Sequence, residues 1–480
     1  MSGDGFDPIE DFFAREREAV VPTEGDDLHW QGIVHDVRSR GSARTRGYLT
    51  GAAAAAVVVA AVAWGASSGV PGGRSGPTAP VARSTTVGTV APVPPATAAP
   101  EPAAPVRPPA VPTVPSAASP AATRGVPASF RARSLTNVGR GHLYALGNAR
   151  CGNRSCPTLV GSRDGGASWT LVTRFPGATP AREDDPTGVV QAPTALGEVR
   201  FATPQVGWVY GGGLKVTRDG GQTWRDVPHE GATTLDVETD GTSLVVTSAN
   251  GCDAQSCSGP LIVSRADLPS GGPVVVIGRT PTGGRVSGSA ITFDGGQPFV
   301  SPRWAVPPAA GGGPLRVGHS ALQPLAVPPG CEAPWAITVT GNASRVRSLT
   351  ALCGARGGGG AGQIHLAVSA STNGGRSWAV RTDGGLQLVN AGLTSAAAAD
   401  PEHLLAVSGG DPAVHGSMQV SADGGRTWRS PTAGPPIPEQ GWRWVGAPGG
   451  RTFYAVPVGG GPSYWQSDDD GEHWHEVRLR

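Results

Sequence analysis

Lysine is nearly absent from this chain of 480 residues: Lys215 is the only one, and arginine supplies the other positive side chains. The formal net charge is +1, and aromatic residues make up only 6% of the sequence. A nearly neutral chain has no broad basic field to attract nucleic acid, so we predict no nucleic-acid partner. Glycine and proline are abundant instead, with 73 and 46 copies. They are unevenly distributed, which indicates that the chain is built from several segments.

Charged residues are missing from one long stretch, 47–73, whose core reads YLTGAAAAAVVVAAVAWGASSGV. Such a run is long enough to cross a bilayer as one helix. A cleaved signal peptide is disfavoured because a long, mostly polar segment precedes the run. Arginines crowd its N-terminal side and, by the positive-inside rule, place that side in the cytoplasm: Arg38, Arg40, Arg44 and Arg46. We therefore predict a single-pass cell-membrane protein with a transmembrane helix at 47–70.

The segments that flank this run differ in composition. Residues 71–127 are rich in proline and alanine and have no aromatic residue, which predicts a disordered, extended linker outside the cell. Residues 1–46 contain two amphipathic patterns, DPIEDFFAREREAV and DLHWQGIVHDVRSR. Their apolar faces predict a cytoplasmic protein partner or binding to the inner leaflet. This arrangement is similar to that of bacterial membrane anti-sigma factors, and the resemblance would imply a transmembrane sensor.

Five copies of one eight-residue pattern lie in the remaining part, 128–480. Each reads Ser or Thr, any residue, Asp or Asn, any residue, Gly, any residue, a Ser, Thr or His, and Trp. Asp-Gly or Asn-Gly between two apolar runs predicts a β-hairpin, because glycine accepts the positive φ of the turn and Asp bonds its backbone. We interpret the following residues as structural: Ser162, Asp164, Gly166, Trp169, Thr217, Asp219, Gly221, Trp224, Ser371, Asn373, Gly375, Trp378, Ser421, Asp423, Gly425, Trp428, Ser467, Asp469, Gly471 and Trp474.

This pattern resembles the Asp-box, or BNR repeat, of sialidase-type β-propellers. The fuller stretch VRFATPQVGWVYGGGLKVTRDGGQTWRDV also resembles repeats of photosystem II assembly-factor propellers. The interval from Thr217 to Ser371 is about three times the others, so two further repeats are hidden there, with Ser264 and Gly318 in register. Seven repeats of four short strands predict an all-β, seven-bladed propeller over 128–480; six blades are the alternative. Asp294-Gly-Gly is predicted to join the first two strands of the fourth blade.

The six cysteines form three local pairs in the sequence. Cys151–Cys156 and Cys252–Cys257 each bracket a loop predicted between the second and third strands of a blade. Cys331 and Cys353 flank a predicted hairpin that turns at Asn342, and we expect them to face each other across its ladder. An even count and an extracytoplasmic location predict three disulfides. Zinc ligation is disfavoured because the pairs lie in different blades without nearby histidines.

The resemblance to sialidases raises the question of catalysis, since those enzymes use an arginine cluster, a Tyr–Glu nucleophile and an Asp. No Arg-Ile-Pro-like motif occurs near the start of the propeller, and no pair of acidic residues on an inner strand stands out, as general glycoside hydrolysis would need. Three tyrosines are predicted at equivalent, packing positions of second strands, and a fourth on a third strand: Tyr144, Tyr210, Tyr454 and Tyr464. A sialidase-type glycoside hydrolase is therefore the alternative function.

Other polar clusters are interpreted as solvated surface rather than as calcium or metal sites: Glu183, Asp184, Asp185, Asp468, Asp469, Asp470, His473 and His475. The sequence thus predicts a membrane-anchored, extracytoplasmic propeller that is a non-catalytic binding, scaffold or assembly module without a cofactor or metal. Its ligand, a protein or glycan of unknown identity, is expected at the loops on the face opposite the repeated turns. Those loops include 173–197 and 222–234.

Overall fold

The computed structural model describes residues 125–182, 190–268, 272–331, 333–334, 337–342, 347–355, 363–389, 393–409 and 416–480. The predicted cytoplasmic tail, the transmembrane helix at 47–70, the linker up to residue 124 and the acidic run at 183–185 lie outside these residues. Within the described ranges, no helix is long and apolar enough to cross a bilayer.

Within the described residues, antiparallel strands form seven successive sheets; the sixth along the chain has three strands and each of the others has four. The first two sheets and the short parallel pair between them comprise β1 (Arg131–Asn137), β2 (Leu143–Cys151), β3 (Arg154–Ser162), β4 (Thr170–Arg174), β5 (Thr179–Pro180), β6 (Ala195–Leu196), β7 (Glu198–Phe201), β8 (Gly207–Tyr210), β9 (Leu214–Thr217) and β10 (Arg225–Asp226). The third and fourth comprise β11 (Thr233–Thr239), β12 (Ser243–Ala249), β13 (Ile262–Asp267), β14 (Val275–Arg279), β15 (Arg285–Asp294), β16 (Gln297–Val306), β17 (Leu315–Val317) and β18 (Leu322–Pro324).

The last three sheets comprise β19 (Thr338–Thr340), β20 (Leu349–Gly354), β21 (Gln363–Ser371), β22 (Ala379–Val389), β23 (Leu393–Ala398), β24 (Leu404–Ser408), β25 (Met418–Ser421), β26 (Trp442–Gly449), β27 (Thr452–Pro457), β28 (Ser463–Ser467) and β29 (His475–Arg478). The chain is therefore a seven-bladed β-propeller, as predicted, and the six-bladed alternative is wrong. Asp294 ends β15, and the following Gly-Gly turn leads into β16. The turn therefore joins the first two strands of the fourth blade, as the spacing of the repeats predicted.

The five repeated turns follow the third strands of blades 1, 2, 5, 6 and 7 and share one hydrogen-bond pattern; in blades 1, 2, 5 and 7 they lead into a fourth strand. In the first copy, the amide of Gly166 donates to Ser162 Oγ at 2.9 Å, and the Ser162 hydroxyl donates to Asp164 Oδ1 at 2.8 Å. The amide of Ser168 donates to the same Asp164 oxygen at 2.9 Å. The corresponding bonds recur in the other four turns. Each turn is thus closed by its own side chains.

The tryptophan that ends each turn packs into the core shared with the preceding blade. Trp224 of blade 2 lies against Phe175 of blade 1, with ring centroids 5.4 Å apart. Trp428 and Trp474 contact the cores of blades 5 and 6 in the same way. Trp378 differs in its polar contact, because its indole nitrogen donates to Ala326 O of blade 4 at 2.9 Å. These aromatic contacts bury apolar area between blades rather than within them.

The ring closes by contact between whole blades, since β1–β4 all come from the N-terminal end of the propeller and β26–β29 from the C-terminal end. Ala132 N donates to Gly461 O at 2.7 Å, and Trp169 N donates to Arg480 O at 3.1 Å. The Trp169 ring also meets the fully buried Tyr464 edge-on, at 6.1 Å. Among the strands that the structure describes, no blade is divided between the two ends of the ring, as the sequence predicted.

All three predicted disulfides are present: Cys151–Cys156, Cys252–Cys257 and Cys331–Cys353. The third pair does not face across a hairpin that turns at Asn342, so that part of the prediction was wrong. The ladder register pairs Thr338 with Leu352, so the hairpin is not centred on Asn342. Cys331 precedes β19 rather than lying on it. The bond joins the approach to the inner strand with the second strand of blade 5.

Candidate functional site: a charged central channel

The first strand of every blade faces the propeller axis, and together these strands line a channel of about 1000 Å³. Blades 5 and 6 contribute small side chains such as Thr338, Ser395 and Ala397. The connection between blades 1 and 2 contributes Ala181, Val190 and Gln191. This connection is one of the loops predicted to form the ligand face, so the described part of that loop reaches the channel.

Seven charged side chains from five blades lie in the channel, besides Asp240 and two tyrosines. Four are arginines and three are acidic: Arg133, Arg200, Arg303, Arg443, Glu198, Asp236 and Glu238. Arg200 Nε lies 2.7 Å from Glu238 Oε2. Oε1 of Glu198 lies 3.6 Å from Arg133 Nε and 3.4 Å from Arg443 Nη2. Glu198 therefore links the inner strands of blades 1, 2 and 7.

Two β-bulges place arginines in this cluster. Arg133 is the extra residue where the β1–β2 register shifts between Ala132 and Ser134, and Arg443 is the extra residue between Trp442 and Trp444. A bulge re-aims the side chain of its extra residue. Both bulges lie in the first half of the inner strand, whereas the repeated turns lie at the end where that strand finishes. Arg133 and Arg443 therefore lie toward the side of the channel away from the turns, whereas Arg200 and Glu238 lie near the ends of β7 and β11.

The charged side chains of the channel differ in how much of each is exposed to solvent. The side chain of Arg133 is only 3% exposed, while those of Glu198 and Glu238 are 23% and 27% exposed. Arg200 also lies over the Trp444 ring, with its guanidinium carbon 5.6 Å from the ring centroid. The buried arginines thus hold carboxylates that remain accessible from the channel, a combination that can bind polar groups by charge-assisted hydrogen bonds.

Asp236 connects three blades at the edge of the cluster. Its Oδ1 accepts the Tyr210 hydroxyl of blade 2 at 2.9 Å, and its Oδ2 accepts the Ile291 amide of blade 4 at 2.8 Å. Burial raises the pKa of Asp236 to about 6, although nearby Arg200 opposes the rise. Burial also raises the pKa of Tyr210 well above its ordinary value and lowers that of Arg303. The channel therefore imposes a low-polarity environment on charged groups.

The placement of Tyr210 corrects one sequence-based interpretation. Tyr144 and Tyr454 are equivalent, because each directly follows the residue paired with the first serine of its repeated turn. In blade 2 that equivalent position is Trp208, and Tyr210 lies two residues further along β8. Tyr144 donates to Pro204 O at 2.7 Å and Tyr454 accepts from Asn137 Nδ2 at 2.7 Å. Tyr210 alone of the three carries its hydroxyl into the acidic cluster.

A second correction concerns the acidic residues. The sequence indicated no acidic pair on an inner strand, but Glu198 lies on β7 and Asp236 and Glu238 lie on β11. The signal was present in TLDVETD and EVRF, where charged residues alternate with apolar ones in strands that face a channel. Within the described part of the chain, the residues of the five repeated turns are not among those that line the channel.

The remaining predicted positions lie elsewhere. Tyr464 is on β28, the third strand of blade 7, and is fully buried. Asp468, His473 and His475 are exposed. His473 Nδ1 lies 2.7 Å from Asp469 Oδ2 within the last repeated turn. Hydrogen bonds from Ser168 and Ser162 lower the pKa of Asp164 to about 2, and bonds from Thr223 and Thr217 do the same for Asp219.

Comparison with known proteins returned similar folds but no family. No protein-family profile matches the chain, and no curated protein does. YCF48 from Cyanidioschyzon merolae is 16% identical with a TM-score of 0.42, and the match covers 71% of this chain and 96% of that one. YCF48 bound to D1 peptide is 16% identical with a TM-score of 0.39, covering 70% and 96%. The β-propeller domain of the Trilobed protease from Pyrococcus furiosus is 8% identical with a TM-score of 0.42, covering 72% and 97%.

At these identities and TM-scores, the similarity extends to the general propeller shape and indicates no ligand for this chain. Propellers as a class support both binding and catalysis on one scaffold. The seven-bladed ring with a charged channel is therefore compatible with a binding or scaffold module.

Proposed function

We propose that this protein is a non-catalytic binding module that holds a polar ligand, a protein segment or a glycan, in its charged central channel. The observation that carries the proposal is the convergence of Glu198, Glu238 and four arginines from separate blades. Rigidly held side chains around a concave site provide few but well-placed polar contacts, which is how binding sites obtain specificity.

The binding test uses glycan and peptide arrays probed with the purified full-length chain. Glu238→Gln removes the partner of Arg200 and is expected to abolish a specific signal. Arg429→Gln, at an exposed ion pair with Glu472 on the outer part of blade 6, is the matched control and should bind like the unmodified chain. Equal binding by both variants would place the ligand outside the channel.

A membrane anchor is also proposed, and the supporting observation is the uncharged run at 47–70 with arginines before it. The disulfides agree with an oxidising, extracytoplasmic compartment for the propeller. In intact cells stripped of wall, added protease should cleave within 71–480 while residues 1–46 remain protected. Cleavage that begins in the tail would reverse the proposed orientation.

A sialidase-type hydrolase is the second candidate, favoured by one observation: Tyr210 departs from the repeat and bonds Asp236 next to Arg200. Turnover of a fluorogenic sialoside and of other glycosides by the full-length chain would be measured for Tyr210→Phe. Tyr144→Phe and Tyr454→Phe, which remove hydroxyls outside the cluster, are the controls. Turnover lost only in Tyr210→Phe would establish the hydrolase and overturn the binding-only proposal.

A further inference from the structure

A cluster of potential metal ligands lies at the seam between blades 6 and 7, among residues that do not line the channel. It comprises Asp400 and His403 from the turn between β23 and β24, and Asp470 from the last repeated turn. One ligand atom of each lies within 4.8 Å of the others. His403 Nδ1 is 2.8 Å from Asp400 Oδ2 and 3.9 Å from Asp470 Oδ1.

The fifth repeated turn departs from the other four at Asp470. The fourth position of the pattern is glycine in the other copies, with φ between 70° and 75°: Gly165, Gly220, Gly374 and Gly424. Asp470 adopts the same left-handed conformation, with φ of 65°, although a side chain is disfavoured there. The substitution places a carboxylate where the neighbouring blade presents His403.

Both carboxylates have one oxygen fixed and the other directed to the histidine. Asp400 Oδ1 accepts the amides of Glu402 and His403 at 2.8 and 2.9 Å. Arg451 Nε donates to Asp470 Oδ2 at 2.6 Å. Outer contacts of this kind orient the ligands of a metal ion.

Asp470 Oδ1 is a buried oxygen that faces the histidine. This atom is shielded from solvent and has no hydrogen-bond partner among the described residues, while the whole side chain is only 13% exposed. A buried carboxylate oxygen without a donor is costly. A cation between Oδ1, Asp400 Oδ2 and the imidazole would remove that cost.

We propose that Asp400, His403 and Asp470 form a binding site for a divalent transition-metal ion of the zinc type, which bridges blades 6 and 7. One imidazole nitrogen with two carboxylate oxygens suits zinc better than calcium or magnesium, which prefer oxygen ligands alone. Zinc ligands lie about 2.0 to 2.2 Å from the ion, so small side-chain movements bring the three atoms into range. Three protein ligands leave a position for water.

The test uses Co²⁺ as a spectroscopic probe and Zn²⁺ in competition, with the tag-free full-length chain. The visible absorption of bound Co²⁺ is expected at one equivalent, and Zn²⁺ should displace it and raise the melting temperature. Ca²⁺ and Mg²⁺ should do neither.

Asp470→Gly is the informative variant, because it restores the residue of the other four turns and should fold at least as well. His403→Gln and Asp470→Asn remove a ligand while keeping the size of the side chain. Each should weaken Co²⁺ binding at least about tenfold, the loss that even an outer-contact change causes. His473→Gln alters the other His–Asp pair of this turn and should bind like the unmodified chain. The proposal is wrong if the unmodified chain shows no Co²⁺ spectrum, or if His403→Gln and Asp470→Gly bind as it does.

Discussion

At the scale of single residues, the propeller uses ionisable groups in two opposite ways. The aspartates of the repeated turns accept several hydrogen bonds at the surface, which lowers the pKa values of Asp164 and Asp219 to about 2. Asp236 is half-buried among other charges, and desolvation raises its pKa to about 6. Ionised turn aspartates stabilise the fold, whereas the ionised form of Asp236 is disfavoured by its surroundings.

Asp236 predicts a pH dependence with a definite sign. Its folded-state pKa of about 6 exceeds the ordinary value of about 3.9, so the folded protein favours the protonated form. This stabilisation is complete below about pH 4 and is lost as the pH rises through about 6, with a slope of at most about 1.4 kcal/mol per pH unit. The turn aspartates act below this window, since their stabilisation is lost only as the pH falls through about 2.

The measurement is urea unfolding of the unmodified chain and of Asp236→Asn at several pH values between about 4.5 and about 7. The free-energy difference between the two proteins should shift steadily in favour of the variant as the pH rises. A difference that is independent of pH would show that Asp236 does not titrate in this range.

At the scale of the elements, each repeated turn combines a β-hairpin with a tryptophan side chain that packs between two blades. The serine or threonine at its first position is buried and accepts the amide of the glycine four residues later. Its loss leaves that buried amide without its partner, which costs more than an exposed hydrogen bond. The tryptophan then connects the stability of the turn to the packing of the preceding blade.

Ser371→Ala should therefore destabilise the propeller by about 1 to 3 kcal/mol, because the Gly375 amide loses the acceptor at 2.9 Å. Thr372→Ala, at the exposed neighbouring position of the same turn, is the control and should be nearly neutral. Thermal unfolding of the two variants gives the comparison. Array binding by folded Ser371→Ala should match the unmodified chain, and a selective loss of binding would assign the turn a direct role in the ligand site.

At the scale of the whole molecule, stability depends on closing the ring between blades 1 and 7. Tyr464 of blade 7 is fully buried and packs against Trp169 of blade 1 and Tyr454 of its own blade. The Gly166 backbone also approaches the Tyr464 hydroxyl. The contact joins parts of the chain that are far apart in sequence.

Tyr464→Ala should cost about 3 to 5 kcal/mol, the range for removing a large buried aromatic side chain, and should expose the seam between the first and last blades. Hydrogen exchange would show this as reduced protection of β1 and β28 compared with β12. Ile437→Ala, at a side chain that is 53% exposed, serves as the control. Uniform loss of protection in all seven blades would mean that the ring opens only by global unfolding.

The sequence alone determined the repeated turns, the number of blades and the cysteine pairs, because these depend on local chemistry. Asp-Gly turns, strand periodicity and short cysteine spacings act over a few residues, and their regular recurrence revealed the ring. The position of Tyr210 was misread because it lies two residues beyond the position equivalent to Tyr144, which keeps it on the same face of the strand but gives it a different neighbour. The charged channel could be recognised only in three dimensions, because its seven groups come from five blades and meet only after the ring has closed. The cluster of Asp400, His403 and Asp470 depends on the same closure of blade against blade.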